Sequence, residues 1–281
     1  MAKATIDALT SSTLKHLREH WWNDEFTGFL RETLRPRPGN RILDVGCGTG
    51  IAEVAIGRLQ LSQIKLFGVD YVVERVASAQ QKTRSHNQRV GFAAADACRL
   101  PFADRVFDST YCVAVLQHVR GVTDAVAEFA RVTRPGGRIV AVEPDNAAHY
   151  WYSSLDAGVR AHEAGVRFFN AISDATDDAT DHSIGPRLPT LFVQHGIEPL
   201  SVGLFPVSQA RLGVQPPALW TERRLGIENL IAQVPHPSVS AAGREYLDAL
   251  ARYAEAATAA GEAFVEIQNT MLFATVAQRA S

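Results

Sequence analysis

The feature that most constrains this chain is a glycine-rich turn, Asp44-Val-Gly46-Cys47-Gly48-Thr-Gly50, between a short apolar run and an apolar helical segment. Residues 41–45 are predicted to form a buried strand, and residues 51–59 to form a helix. Glycine lets a backbone turn tightly and approach a ligand without an obstructing Cβ atom. One or two glycines are enough for a turn, so three at alternate positions after an aspartate indicate ligand binding at a strand–loop–helix junction.

The spacing of these glycines distinguishes between nucleotide ligands. A dinucleotide-binding loop follows the pattern G-x-G-x-x-G, which places a pyrophosphate on the N-terminus of the helix. Here the pattern is G-x-G-x-G, and Ile51 follows the last glycine. Asp70 ends the next predicted strand, about 20 residues on, where a ribose-binding carboxylate is expected. The pattern therefore favours an adenosyl ligand over a nicotinamide dinucleotide.

Strand-like and helix-like segments alternate from the first strand to about residue 145. The predicted strands are 41–45, 64–69, 90–94, 106–113 and 138–142, and the predicted helices are 51–59, 72–86 and 122–132. Such alternation predicts a parallel sheet covered by helices on both faces. Further strands are predicted near 193–202 and at 268–276. The expected fold is α/β, a doubly wound, mostly parallel, seven-stranded Rossmann-like sheet with helical insertions after strands 5 and 6.

The domain organisation follows from where this alternation stops. Residues 1–36 carry helical spacing and are predicted to form an N-terminal helical lid, and residues 37–281 to form the Rossmann-like domain. Insertions at about 147–190 and 208–263 interrupt that domain and are expected to cover the substrate. The second insertion contains an alanine-rich predicted helix at 246–260.

Composition narrows the partners and the compartment. A formal net charge of −2 gives no electrostatic indication of nucleic-acid binding. No apolar stretch approaches the roughly 20 residues of a membrane span, and the first residues lack the apolar core of a signal peptide. Neither the three cysteines nor the acidic residues at 174–181 have metal-ligand spacing, so no metal site is predicted. Three cysteines cannot all pair within the chain, which favours a reducing compartment, and we expect a cytoplasmic protein.

An ordered series of motifs runs through residues 35–145. The motifs are Asp44–Gly50, Asp70, Ala95-Asp96-Ala97, Leu100-Pro101-Phe102, Phe107-Asp108, Leu116-Gln-His118 and Val132-Thr-Arg-Pro-Gly-Gly137. With this series the chain resembles class I S-adenosylmethionine-dependent methyltransferases, most closely the small-molecule branch of the ubiquinone and sterol methyltransferase type.

This resemblance implies a cofactor and its binding residues. S-adenosyl-L-methionine is the expected cofactor and S-adenosyl-L-homocysteine the expected product. Asp70 is expected to accept hydrogen bonds from both ribose hydroxyls, and Asp96 is expected to accept one from the adenine amino group. Ala97 is expected to donate its backbone N–H to the adenine ring. The remaining positions implied by the resemblance are Asp44, Gly46, Cys47, Gly48 and Gly50 for the methionine and ribose, Tyr71 beside the adenine, and Cys112 and Val113 at the methionine end.

Two residues are candidates for acid–base catalysis. Methyl transfer from a sulfonium is an in-line displacement, so most of the protein's task is to align donor and acceptor in a dry pocket. A general base is needed only if the acceptor must lose its proton early. His118 follows the fourth strand and Glu143 ends the fifth, which places both at the carboxyl edge of the sheet. The structural alternative for His118 is a histidine that only packs and forms hydrogen bonds at the start of a helix. The structural alternative for Glu143 is a glutamate that caps a turn.

Aromatic clusters mark the candidate acceptor site. Trp21 and Trp22 lie in the first predicted helix, and Tyr150 and Trp151 follow the fifth strand. These positions predict a small, apolar or aromatic acceptor methylated at O, N or C, although aromatic residues at helical spacing also build cores. The alternatives are a non-methylating reaction on the same fold, such as cyclisation or decarboxylation, and a non-catalytic partner subunit, which the intact glycines and Asp70 disfavour. A monomer or a homodimer is expected.

Overall fold

The computed structural model describes residues 21–58, 64–145, 148, 150–176, 181 and 183–281. Residues 1–20, which include most of the predicted N-terminal lid, lie outside this part of the chain. The described residues belong to two compact units. The larger unit contains residues 21–148, 179–206 and 270–281, and the smaller contains 150–176 and 207–269.

The helices and strands are numbered in chain order. The helices are α1 (Asp24–Leu34), α2 (Ile51–Arg58), α3 (Val73–Ser85), α4 (Val122–Val132), α5 (Asp156–Ala175), α6 (Leu188–Gln194), α7 (Pro217–Gln233) and α8 (Pro237–Ala260). The strands are β1 (Arg41–Val45), β2 (Lys65–Asp70), β3 (Val90–Ala94), β4 (Phe107–Val113), β5 (Thr133–Asp145), β6 (Trp151–Ser153), β7 (Ile197–Leu212) and β8 (Val265–Arg279). Short 3₁₀ helices occupy Leu116–His118, Gly185–Arg187 and Gly261–Ala263.

The larger unit is built on a mostly parallel sheet. Its strands follow the order β3-β2-β1-β4-β5-β8, in which β1 to β5 are parallel and β8 is antiparallel to β5; β7 also pairs with β8. The chain moves outward from β1 to β3 and then returns to β4 on the other side of β1. This reversal creates a crevice at the carboxyl ends of β1 and β4, where ligands bind in open α/β sheets. The predicted doubly wound α/β fold is confirmed.

The core of this unit lies where α4 and α6 pack against the central strands. On α4, Val122–Val132, the side chains of Ala125, Val126, Phe129 and Val132 are fully buried, because spacings of one, three and four residues put them on one helical face. They meet fully buried residues of the strands and of α6, including Leu43, Phe107, Ile139, Leu188 and Phe192. The sheet edge that carries the site is therefore rigidly supported.

The smaller unit is mainly helical. In it, β6 pairs antiparallel with the first residues of β8, from Trp151↔Gln268 to Ser153↔Glu266. Helices α5 and α8 pack through small residues around Tyr253 and Phe264, while Trp220 of α7 lies against both aromatic rings. The predicted helix 246–260 is the C-terminal part of α8. Strand β6 is the one not predicted, so the described residues contain eight strands rather than seven. Within the described residues, none of the helices combines the length and apolar character that a bilayer-spanning helix requires.

Candidate functional site

The glycine loop joins β1 to α2 at the crevice between β1 and β4. Gly46, Gly48 and Gly50 all have positive φ angles, of 82°, 53° and 80°, which residues with a Cβ atom rarely adopt. A Cβ atom on Gly46 would lie 2.2 Å from a methyl carbon of Val115, so glycine is needed there for packing. A Cβ atom on Gly48 would have no heavy atom within 4 Å. The loop therefore presents open space at Gly48.

Asp70 closes this loop from the end of β2. One carboxylate oxygen accepts a hydrogen bond from the N–H of Gly48 at 2.9 Å, and the other accepts one from the N–H of Val72 at 2.9 Å. The residue is buried, yet each oxygen keeps a second lone pair with which it can accept another hydrogen bond. The neighbouring Tyr71 is 64% exposed, so its ring is available to a ligand. The structure thus brings together three of the predicted cofactor residues.

Asp96 and Ala97 follow β3 at the same sheet edge. Ala94 is paired with Asp70 in the parallel register, and the N–H of Ala95 donates to the Asp70 carbonyl at 2.9 Å. Asp96 is exposed, and one of its oxygens accepts the N–H of Cys98 at 2.8 Å. This Asx turn lies at the carboxyl edge of the sheet, next to the end of β2.

At the end of β4 the two predicted cofactor residues, Cys112 and Val113, differ in how deeply they are buried. Val113 is half-buried, whereas the Cys112 side chain is fully buried and its thiol lies 3.7 Å from a Glu143 carboxylate oxygen. Burial raises the pKa of the Cys112 thiol well above its usual value. The Cys112 side chain therefore has no surface to offer a ligand. Ala114, which follows, has a φ of 56°, a strained conformation for a non-glycine residue at the crevice.

Glu143 is a capping residue in this structure. Its carboxylate is fully buried, one oxygen accepts the N–H groups of Val115 and Leu116 at 2.8 Å each, and the other accepts the N–H of Gln117 at 3.3 Å. Burial raises the pKa of Glu143 to about 7, and these three hydrogen bonds oppose the rise. A fully buried carboxylate engaged in this way does not reach a substrate. The hypothesis that Glu143 is a catalytic base is therefore not supported, and the capping alternative is.

The turn that Glu143 caps carries His118. His118 is the last residue of the 3₁₀ helix Leu116–His118, and it is half-buried. Since Glu143 binds the N–H groups at the start of this short helix, it positions the backbone from which the imidazole projects. The two predicted catalytic residues thus lie at one turn, which Glu143 caps and which ends at His118.

The segment near residue 183 belongs to this site and was missed by the sequence reasoning. The N–H of Asp181 donates to the carbonyl of Gln117 at 2.8 Å, and the hydroxyl of Ser183 donates to Asp145 at 2.7 Å. Asp145 lies two residues after Glu143 on β5, so strand alternation could have identified it as a second acidic group at this edge. Ser183 is 38 residues away in sequence and gives no comparable local indication. Residues 177–180 lie outside the described part.

The predicted acceptor residues fall in both units. Trp21 is buried and Trp22 is half-buried, edge-on to Phe26 with ring centroids 5.2 Å apart, all in the larger unit. In the smaller unit Tyr150 is 54% exposed, and Trp151 stacks on His162 with centroids 4.5 Å apart. Trp21 therefore matches the core-packing alternative.

Comparisons with known proteins agree with this geometry. Residues 43–141, which span the glycine loop, Asp70, Asp96 and His118, match the family described as "Methyltransferase domain". Over those residues the chain is similar to a methyltransferase domain. A demethylmenaquinone methyltransferase from Mycobacterium marinum is 35% identical over 135 residues, which cover 48% of this chain and 53% of that protein. The O-methyltransferase cnsE from Penicillium expansum is 33% identical over 148 residues, covering 48% of this chain and 54% of the relative. The chain thus spans about half the length of these curated relatives.

Solved structures share the fold over more of the chain. The [4+2]-cyclase SpnF has a TM-score of 0.55 and 20% identity, covering 92% of this chain and 80% of its own. The YcgJ protein from Bacillus subtilis has a TM-score of 0.56 and 19% identity, covering 92% of this chain and all of its own. These similarities extend the Rossmann-like fold beyond residues 43–141. The predicted resemblance to class I methyltransferases is confirmed.

Proposed function

We propose that this protein transfers a methyl group from S-adenosyl-L-methionine to O, N or C of a small, apolar or aromatic metabolite. The observation that carries the proposal is the glycine loop held on Asp70. Gly48 borders open space, and the Asp70 carboxylate that accepts its N–H retains lone pairs for two ribose hydroxyls. An adenosyl group fits this arrangement. Asp96 follows the adjacent strand, and we propose that it accepts a hydrogen bond from the adenine amino group.

The bound cofactor supplies the electrophile, a methyl group on a sulfonium. The chain's own task is to orient it and to exclude water. With the cofactor bound, Asp70 would hold the ribose and Tyr71 would pack beside the adenine. The backbone N–H of Ala97 would bond the adenine ring, and the half-buried Val113 would lie at the methionine end. His118 accepts a proton when the acceptor is a hydroxyl or an amine. Glu143 holds the turn that carries His118 and does not itself contact substrate.

In the larger unit we propose Trp22 as a contact for the acceptor and keep Trp21 as a packing residue. Tyr150 and Trp151 are separate candidates in the smaller unit. Small-molecule methyltransferases among the relatives, including one named for 27-O-demethylrifamycin SV from Amycolatopsis mediterranei at 31% identity, support a small-molecule acceptor. We assign the protein to the cytoplasm because all three of its cysteines are free thiols. Whether the protein is a monomer or a homodimer has to be measured separately.

Calorimetric titration of the full chain with S-adenosylmethionine tests the cofactor. Asp70→Asn removes one of the two carboxylate acceptors and the negative charge, and hydrogen bonds to charged groups contribute about 1.5–3 kcal/mol each. We expect cofactor affinity to fall by about 10- to 100-fold. Asp248→Asn, an exposed aspartate on α8, is the control with the same charge change and should bind normally. Equal affinity in both variants would remove Asp70 from the site.

Turnover tests the reaction class. With a methyl-labelled cofactor and a panel of small aromatic acceptors, label should appear in the acceptor and S-adenosylhomocysteine should accumulate. Product formation without S-adenosylhomocysteine would support the alternative, a cofactor-dependent cyclisation or decarboxylation. That alternative is retained because the fold is shared with a [4+2]-cyclase, a likeness of fold alone.

A further inference from the structure

A buried glutamate lies beside the glycine loop and has no role in the site described so far. Glu53 is the third residue of α2 and is 1% exposed. Neither of its carboxyl oxygens has an N–H or O–H hydrogen-bond donor among the described residues. One oxygen lies 2.7 Å from the position that a Cβ atom on Gly68 of β2 would take. The glycine on β2 therefore makes room for this carboxyl group.

Glu53 forms a pair with Asp44, the residue that precedes the loop. Asp44 is 4% exposed, and one of its oxygens accepts the hydroxyl proton of Tyr111 at 3.0 Å. The buried carboxyl groups of Glu53 and Asp44 act on each other's protonation, and two such groups cannot both be ionised without strong repulsion. Burial raises the pKa of Asp44 to about 7, and burial followed by the charge of Asp44 raises the pKa of Glu53 well above its usual value. Near neutral pH the pair therefore shares a proton.

The groups that face this pair from the surrounding elements are acids. Among the described residues that act on its protonation, they come from the end of β2, from β4 and from the loop: Asp70, Tyr111, Cys112 and Cys47. Burial also raises the pKa of the Cys47 thiol, so this group stays neutral. The pair thus lies among acidic groups and flanks both sides of the loop at Asp44 and Glu53. Beside the loop, Lys82 of α3 donates to the Thr49 hydroxyl at 3.3 Å.

We propose that Glu53 is a specificity-determining residue of the cofactor site, which holds with Asp44 a proton that is released to solvent when the cationic cofactor binds. The inference rests on the proposed function. The cofactor carries a sulfonium charge, whereas its product is a neutral thioether, and the two are otherwise the same molecule. Loss of the proton leaves an additional negative charge, which attracts the cationic S-adenosylmethionine but not the neutral S-adenosylhomocysteine. The site therefore binds the cofactor more tightly than its product. Glu53 thereby promotes exchange of product for fresh cofactor.

The direction of the pH dependence follows from the charges. A bound cation stabilises the ionised carboxylates and so lowers the pKa of the pair, which means that binding expels protons that the free site holds. As the pH rises, the free site already lacks those protons, and the cation binds more tightly. The affinity ratio of S-adenosylmethionine to S-adenosylhomocysteine should therefore rise with pH, by about tenfold per pH unit for each proton released. The sulfonium charge lowers the pKa of the ligand's own amino group relative to the thioether, so the protons that each free ligand exchanges are measured separately and subtracted.

The test is calorimetric titration of the full chain with both ligands, from pH 6 to pH 9. Each titration is run in two buffers of different ionisation enthalpy, which counts the protons exchanged. In the wild type, S-adenosylmethionine should release more protons than S-adenosylhomocysteine. Glu53→Gln keeps the size of the side chain, removes the second carboxyl group, and should flatten the pH dependence of the affinity ratio. Glu198→Gln, an exposed glutamate on β7, has the same charge change and should behave as the wild type.

Equal proton release for both ligands in the wild type overturns the proposal, and this measurement does not depend on any variant. An unchanged pH dependence in a folded Glu53→Gln protein, verified by circular dichroism, overturns it as well. If neither ligand binds the wild type, the proposed function fails rather than the role of Glu53. If both bind with the expected difference and Glu53→Gln does not fold, the wild-type proton count supports release from the site, and Glu53→Asp then tests the residue through the same ratio.

Discussion

At the scale of single residues, Gly48 combines a strained backbone with open space. Its φ is 53°, and the Cβ atom of an alanine there would meet no heavy atom within 4 Å. Gly48→Ala therefore costs only the left-handed backbone strain, about 1–2 kcal/mol. Its methyl group would enter the space that we assign to the cofactor. We expect S-adenosylmethionine affinity to fall by about tenfold or more, as for the loss of about 1.4 kcal/mol of binding free energy, measured by titration.

Gly39 supplies the matched control. It has a φ of 86° and also has no heavy atom within 4 Å of its Cβ position, but it lies in the turn before β1. Gly39→Ala should lower the free energy of unfolding by a similar amount and leave cofactor affinity unchanged. If the two variants bind the cofactor equally well, the ligand does not lie against Gly48.

At the scale of elements, Arg131 of α4 holds the segment that follows Asp96. Its guanidinium donates to the carbonyls of Leu100 and Phe102 at 3.1 and 2.8 Å, and to Glu128 at 2.6 Å. Lysine carries the same charge but cannot make this planar set of bonds. Arg131→Lys should therefore speed amide hydrogen exchange at residues 98–104 by about tenfold, while β1 and β4 keep their protection.

Arg134→Lys controls for the loss of a guanidinium in the same region. Arg134 is half-exposed and pairs with Asp108, so its replacement should leave exchange at residues 98–104 unchanged. Equal exchange in both variants would show that α4 does not order this segment. In that case the location of Asp96 would depend on β3 alone.

Local patterns predicted most of the elements of the larger unit. Strand β2 was predicted at 64–69 and is observed at Lys65–Asp70, because a short apolar run between turn residues has few alternatives. Strand β5 was predicted at 138–142 but begins at Thr133, because Thr133 pairs with Phe107 of β4 ahead of a register shift that precedes the pair Ser109↔Arg138. Strand β6 has three residues and forms only because β8 lies beside it. Pairing partners of this kind are not encoded locally.

The candidate site also has residues that local patterns predict and residues whose roles depend on contacts between elements. The glycines, Asp70 and Asp96 lie at strand ends, where the residue type and the position together indicate a ligand. The sequence does not show whether Glu143 is a catalytic base or a capping residue. The three N–H groups from which it accepts hydrogen bonds belong to residues 115–117, on another element. Glu53 was missed because it lies in an apolar helix and its partner precedes the loop. Contacts between elements decided these roles.

At the scale of the whole molecule, the smaller unit has its own buried charge network. Glu266 of β8 is 1% exposed and accepts hydrogen bonds from Arg211, Arg223 and the hydroxyl of Tyr253, at 2.5 to 3.0 Å. Removing one partner of a buried ion pair leaves charges uncompensated and costs about 3–5 kcal/mol. We expect Glu266→Gln to reduce the stability of α8 by about this amount, measured by hydrogen exchange, while β1 and β4 change little. Glu255→Gln, exposed on the same helix, is the control.

The same network predicts the pH at which this stability is lost. Burial alone would raise the pKa of Glu266, but hydrogen bonds and charge attraction from Arg223 outweigh it, and the pKa lies below the usual value. A carboxylate with a lowered folded-state pKa stabilises the protein above its unfolded-state pKa of about 4.3, and this contribution disappears as the pH falls through the folded value. The difference in exchange free energy between wild type and Glu266→Gln should therefore be largest near neutral pH and narrow below about pH 4. Exchange rates corrected for the intrinsic rate at each pH measure this difference, and a constant difference from pH 7 to pH 3 would show that the two arginines do not stabilise the ionised carboxylate.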